Sequence, residues 1–157
     1  MKYIFFYKTE IGKIGIAENR NAISNLYFPK EQIPQDAVIY ETEILKEAGN
    51  QLQSYLSGGL KNFTLPLAPV GTEFMLCVWE SLRSIPYGKT RSYQEIAQSL
   101  GNKKASRAVG LANNRNPIPI FIPCHRVIGA NGKLTGYRGG LQIKTQLLEL
   151  EKQYGNV

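Results

Sequence analysis

Cysteine and histidine are scarce in this chain of 157 residues: Cys77, Cys124 and His125 are all it has. Two cysteines do not make the disulfide framework of a small secreted domain. One histidine with two cysteines falls short of a four-ligand structural zinc site. Acidic side chains are also in the minority, 12 against 19 Lys and Arg, which leaves a net charge of +7 and a pI near 9.4. That balance favours an anionic partner, nucleic acid foremost. No apolar run approaches the roughly 18 residues of a membrane span, and the alternating polar and apolar residues from Lys2 onward do not read as a signal peptide. With 43% hydrophobic residues, the chain has the apolar content for a core and lacks the composition of disorder. The expectation is a soluble, cytoplasmic protein without membrane association, one ordinary domain or two small ones.

What is present falls into two halves. "YIFFYKT", "KIGIAEN" and "ISNLYF" are β-rich runs separated by turn material at Gly12 and Asn19–Asn21, so residues 2–28 read as a meander. From Val38 to Leu56, the residues Ile39, Ile44, Leu45, Ala48, Leu52, Tyr55 and Leu56 recur at helical spacing, and Gly58–Gly59 ends the helix. "FTLPLAPVG" reads as an extended segment running into a linker, which puts a boundary near residue 70 and divides the chain into 1–70 and 71–157. Thr72 can then cap a helix that buries Phe74, Cys77, Val78, Trp79 and Leu82, making Cys77 a core thiol. "SYQE", 92–95, is a capping box. It opens a short helix that stops at Gly101, and "KKASRAVGLAN" supplies another almost at once. Two short helices around a Gly-containing turn outline a helix-turn-helix or, equally by pattern, a helical hairpin that serves the core. Small residues on one side, with Lys103, Lys104, Arg107 and Arg115, tilt the reading toward a nucleic-acid surface. Asn131–Gly132 marks a tight turn with hairpin character. "LQIKTQLLELEKQY" closes the chain as an amphipathic helix with Leu141, Leu147, Leu148 and Leu150 as core candidates. The fold class is mixed, α/β (α+β).

The chemistry concentrates in "NPIPIFIPCHRVIG". Three prolines stiffen the backbone before Cys124, and Cys124 adjoins the lone histidine. A thiol reacts as its thiolate, and an imidazole or a positive field raises the thiolate fraction. Adjacent side chains rarely face each other, so a bridging water is the natural link. A base of this kind needs a third group to orient it, and Glu149 and Glu151 on the last helix are both candidates. The alternative is a buried structural thiol beside a partly exposed histidine.

The run "NPIPIFIPCHRVIG" strongly resembles the active-site segment of the O6-alkylguanine-DNA alkyltransferases, the methylated-DNA–protein-cysteine methyltransferases, and "PCHRV" is highly specific to them. The likeness extends through "IPYGKTRSYQEIAQSLG", "SRAVGLANNRNP" and "GYRGG…LLELE", covering the second half; the first half resembles the family in length and element order. The resemblance implies an N-terminal ribonuclease-H-like α/β domain and a C-terminal, mainly helical, winged-helix-like helix-turn-helix domain. It implies DNA repair: a monomer acts on double-stranded DNA and moves the alkyl group of O6-alkylguanine, and of O4-alkylthymine, irreversibly to Cys124. No metal or organic cofactor is implied.

The resemblance also assigns residues. His125 deprotonates Cys124 through a water, Glu151 orients His125, and the network favours the thiolate near neutral pH. Tyr93 crowds the 3′ phosphate and protonates or hydrogen-bonds guanine N3, and Asn116 is the hinge between helix-turn-helix and active-site loop. Arg107 is the finger that fills the stack when the base is flipped. Lys103, Lys104, Ala105, Ser106, Ala108 and Arg115 line the DNA in the minor groove. Pro119, Val127, Tyr137 and Arg138 border the alkyl pocket. Arg126 holds the domain interface or the loop, without a chemical role. Arg138 stands where some relatives carry Ser, which bears on the alkyl size tolerated.

Overall fold

The computed structural model describes residues 2–155, and the chain divides into two compact units, Met1–Pro69 and Val70–Val157. In the first, strands β1 (Lys2–Thr9), β2 (Gly12–Asn19) and β3 (Ala22–Tyr27) form the antiparallel meander. The two-residue loop Arg20–Asn21 has φ of 52° and 65°, the left-handed pair that lets a tight turn follow the twist of its strands. A fourth strand, β4 (Val38–Ile39), runs parallel to β1, with Tyr3 opposite Val38, for a sheet order β3-β2-β1-β4. Leu67 bridges to Ile23, so the "FTLPLAPVG" segment is extended there. Helix α1 (Glu43–Leu56) lays Leu45, Ala48, Leu52 and Tyr55 into the core that Ile4, Ile14, Ile16, Ile23 and Leu26 also enter.

The helix expected from Val38 therefore starts later. Val38 and Ile39 are β-branched and find a strand edge to pair with. The Thr42 hydroxyl accepts the Leu45 amide and fixes the true start.

The second unit holds α2 (Glu73–Arg83), β5 (Arg91–Ser92), α3 (Tyr93–Ser99), α4 (Ser106–Asn114), β6 (Val127–Ile128) and α5 (Leu141–Tyr154). The capping box forms: Ser92 Oγ accepts the Glu95 amide and Glu95 accepts the Ser92 amide. Lys103–Ala105 make a 3-10 turn leading into α4, so the second short helix is α-helical only from Ser106. Trp79 on α2 is buried and its Nε1 donates to the Ala112 carbonyl of α4 at 2.9 Å. Strands β5 and β6 pair in parallel, Arg91 opposite Val127.

Three expectations about this unit are corrected. Phe74 and Cys77 are exposed, Phe74 at 39%, because the buried side of α2 is centred on Val78, Trp79 and Leu82. At helical spacing Cys77 points almost opposite to that trio and Phe74 to its flank. Leu141 is exposed too, and Leu148 and Leu150 are half-buried; the face of α5 that goes inside carries Lys144, Leu147 and Glu151. Asn131–Gly132 does form a tight turn, with the Gly132 amide donating to Gly129, but no hairpin, since β6 takes β5 as its partner.

Gly49 of α1 sits against Tyr7, and a Cβ there would lie 2.5 Å from the Tyr7 ring. That ring is pinned by hydrogen bonds from its hydroxyl to Glu41 and to the Leu45 carbonyl. Alanine at 49 gains about 1 kcal/mol of helix propensity and meets overpacking of about 1–3 kcal/mol. Gly49→Ala is expected to lower unfolding stability, read as a fall in the urea midpoint with unchanged m-value.

Candidate functional site

The segment 116–128 is a knot of local hydrogen bonds built around its prolines. Asn116 is 1% exposed; its Nδ2 donates to the Ile122 carbonyl at 2.9 Å, and its Oδ1 accepts the Ile118 amide at 3.0 Å. The Ile122 amide donates to Ile118, and the Cys124 amide to Ile122. Between them Ile120 has φ of 75°. A β-branched residue in the left-handed region costs about 1–3 kcal/mol and persists only where its surroundings over-determine it. Asn113 of α4 adds a further tie, Nδ2 to the Cys124 carbonyl at 3.3 Å. The result is a 3-10 turn, Cys124–Arg126, in which all three residues are buried.

Behind that turn lies the carboxylate of Glu151, 1% exposed. Its Oε2 is 2.7 Å from His125 Nε2 and accepts from Arg126 Nη2 at 2.9 Å. Its Oε1 accepts from Arg126 Nε at 2.8 Å and from the Gly88 amide at 3.2 Å. The third guanidinium nitrogen of Arg126 donates to the Ile85 carbonyl, and the Tyr87 ring stands 5.7 Å from the guanidinium. Burial works to raise the Glu151 carboxyl, but the hydrogen bonds and charges of His125 and Arg126 outweigh it and hold the group well below the usual carboxylate range. Burial holds His125 below the ordinary imidazole value; Glu151 opposes that, while Arg126 and Lys144 reinforce it. Burial also pushes the Cys124 thiol up, offset in part by Asn116, Arg138 and Lys144. Burial thus works against the charged form of both members of the pair.

Lys144 is fully buried and donates to the Val127 carbonyl at 2.8 Å and to Thr135 at 3.2 Å. The Thr135 hydroxyl meets the Tyr93 hydroxyl, and Tyr93 begins α3 beside Gly110 of α4. Arg138 reaches the Asn116 carbonyl at 2.8 Å. Pro119 and Val127 are buried, Tyr137 is half-buried and Arg138 is largely exposed. On the outside, Lys103, Lys104, Arg107, Ala108 and Arg115 are exposed, and Ala105 and Ser106 half-exposed. Cys124, His125, Arg126, Glu151, Asn116 and Asn113 thus form one buried cluster, and the basic residues form a separate surface on the same unit.

Sequence reasoning passed over Asn113, Thr135 and Lys144, and gave Arg126 only a holding role. Lys144 carries a legible signal: 144, 147 and 151 fall on one helical face, so accepting Glu151 as buried places Lys144 inside as well.

The family model described as 6-O-methylguanine DNA methyltransferase, DNA binding domain, matches residues 73–153, and its ribonuclease-like domain counterpart matches residues 2–69. A methylated-DNA–protein-cysteine methyltransferase of Methanosarcina acetivorans is 52% identical over 153 residues, 95% of this chain and 97% of that one. The constitutive methylated-DNA–protein-cysteine methyltransferase of Bacillus subtilis is 46% identical, covering 97% of this chain and 96% of its own. The Mycobacterium tuberculosis protein OGT, solved in complex with DNA, superposes with a TM-score of 0.92 at 43% identity, over 97% of this chain and 94% of that one.

Asn116 offers a test of the loop that needs no substrate. Asn116→Asp keeps the shape, but sets a carboxylate oxygen against the Ile122 carbonyl in place of a donor. It is expected to destabilise the protein by about 1–3 kcal/mol, with faster hydrogen exchange at the Ile118 and Ile122 amides.

Proposed function

The chain belongs to the 6-O-methylguanine DNA methyltransferase family, whose members repair alkylated DNA by moving the alkyl group to a cysteine of their own, and we propose that here Cys124 is that acceptor, with His125 its base. What carries the reading is the 2.7 Å contact of His125 Nε2 with Glu151, buried directly behind the Cys124 turn. Because Nε2 faces the acid, Nδ1 is the nitrogen left to take the thiol proton through a water.

In the transfer, the Cys124 proton passes to His125 and the sulfur lone pair attacks the alkyl carbon. The S–C bond forms as the C–O6 bond breaks, and the electron pair leaves with guanine. Tyr93, hydrogen-bonded to Thr135, supplies a proton at N3 or a hydrogen bond to it. The Val127 carbonyl reads the guanine edge. The product thioether is stable, so each molecule acts once.

A guanine inside a duplex cannot present O6 to a buried thiol, so the nucleotide must leave the stack. Arg107, exposed on α4, fills the gap. Lys103, Lys104 and Arg115 contact phosphates, while Ala105, Ser106 and Ala108 admit the helix to the minor groove. Asn116, the hinge, braces the reactive loop at Ile118 and Ile122 while Asn113 ties α4 to it, and Pro119, Tyr137 and Arg138 bound the alkyl pocket. A cysteine that must stay reduced fits the cytoplasm, and the two cysteines are free.

Incubation with excess methylated duplex is expected to add one methyl per molecule, on the peptide containing Cys124, and then to stop. Cys124→Ser should bind the duplex without reacting, and Cys77→Ser should react normally. Continued turnover, or a methyl on Cys77, refutes the assignment.

Arg107→Ala is expected to slow reaction with duplex DNA at least tenfold more than reaction with the free base O6-benzylguanine, which has no stack to leave. Equal slowing of the two substrates assigns Arg107 to folding instead.

A further inference from the structure

Glu151 is hydrogen-bonded to the imidazole and yet makes its ion pair elsewhere. A lone buried carboxylate beside a histidine stabilises the imidazolium and raises the histidine's proton affinity. Such a histidine is protonated before the thiol needs it and is no longer an acceptor. In this protein the guanidinium of Arg126 grips both carboxylate oxygens, Nε to Oε1 at 2.8 Å and Nη2 to Oε2 at 2.9 Å. This is the fork geometry in which Arg outperforms a point charge. It is anchored in turn by the Ile85 carbonyl and by the Tyr87 ring.

We propose that Arg126 is a positioning residue of the reaction: by taking up the charge of Glu151, it lets that carboxylate align the His125 ring without protonating it, and so keeps the imidazole available for the Cys124 proton. The inference rests on the reading of His125 as the base.

The charges facing His125 agree with this. From α5 come Glu151 and Lys144, and from its own turn Arg126. With His125 neutral, Arg126 and Glu151 cancel and Lys144 is the remaining buried cation. Protonating His125 at rest would add a second uncompensated cation to the same enclosure. Proton transfer from Cys124 adds an imidazolium and a thiolate together, so the net charge of the enclosure does not change. Arg126 thus separates the two tasks a carboxylate otherwise combines, orientation and proton attraction.

The sign follows. Arg126 lowers the proton affinity of His125 directly, and also by neutralising Glu151. Removing Arg126 moves the histidine titration to higher pH, so that at a given pH less of the imidazole is neutral.

His125 is the sole histidine, so its ring nitrogens can be followed by 15N NMR without assignment ambiguity. In the wild-type protein, the ring is expected to be neutral at pH 7; a protonated ring at that pH overturns the proposal. In Arg126→Met, shown to be folded by circular dichroism, the ring should titrate at higher pH than in the wild type. The acid limb of the rate with O6-benzylguanine should move up with it, falling about tenfold per pH unit below the new midpoint. An unmoved titration in the folded variant also overturns the proposal. Should the methionine variant not fold, Arg126→Lys serves: it keeps the cation but not the fork, and His125 should still titrate close to wild type, a large upward shift being the refuting result. A titration that moves while the rate profile stays put supports the role of Arg126 in setting the state of His125, and removes His125 as the base.

Discussion

The Glu151 carboxylate is nearly without water, and an ion so placed costs several kcal/mol unless its charge and lone pairs are met. Four donors meet it: two nitrogens of Arg126, the His125 ring and the Gly88 amide. They come from the reactive turn and from the segment after α2, while the acid itself sits on α5. One charge therefore fixes the relative position of three parts of the second unit. Losing any donor leaves a buried anion partly unpaired, a penalty of about 3–5 kcal/mol for a charged partner. The cluster is rigid because its failure is expensive.

From that anchor the rest of the site follows. The Cys124–Arg126 turn is held by Glu151 and by Asn113, and Asn116 holds the chain at Ile122 just before it. Between these holds the chain must pass through the prolines with Ile120 at positive φ. Strain of this kind survives only in a frame that offers no easier path, and the side-chain bonds of Asn116 on both flanks of Ile120 supply it. Lys144 acts likewise on the segment after the turn, binding the carbonyls of Val127 and Thr135 to α5. Thr135 then meets Tyr93. On both sides of the turn in sequence, side chains bond to backbone groups and leave fewer buried polar atoms unmet.

The elements set by local chemistry were legible in the sequence, and the placements set by tertiary pairing were not. The meander, the Thr72 cap and the Ser92 capping box depend on residues within a few positions of one another. The start of α1 depended on whether Val38 and Ile39 would find β1 to pair with, and periodicity alone assigned them to the helix. Leucine counts put Leu141, Leu148 and Leu150 of α5 inside, yet the buried face includes Lys144 and Glu151; a sequence shows hydrophobicity but not the partners that make burying a charge tolerable. Cys124 and His125 stood out from the residues alone, with a structural thiol as the alternative, and family likeness chose Glu151 over Glu149. The charge state of the cluster needed coordinates, because it turns on the bidentate contact of Arg126, a residue next in sequence to His125 whose target lies 25 positions on.

The second unit also separates its cations by solvent exposure, and this separates their physics. Lys103, Lys104, Arg107 and Arg115 lie in water, where their attraction for phosphates is screened over about 10 Å at 0.1 M salt. In the proposed role of these residues as phosphate contacts, their contribution to affinity falls as counterions compete for DNA. Arg126 and Lys144 are buried against fixed carbonyls and a carboxylate, where mobile ions do not enter. Salt therefore screens the exposed charges far more than the buried ones that act on His125 and Cys124.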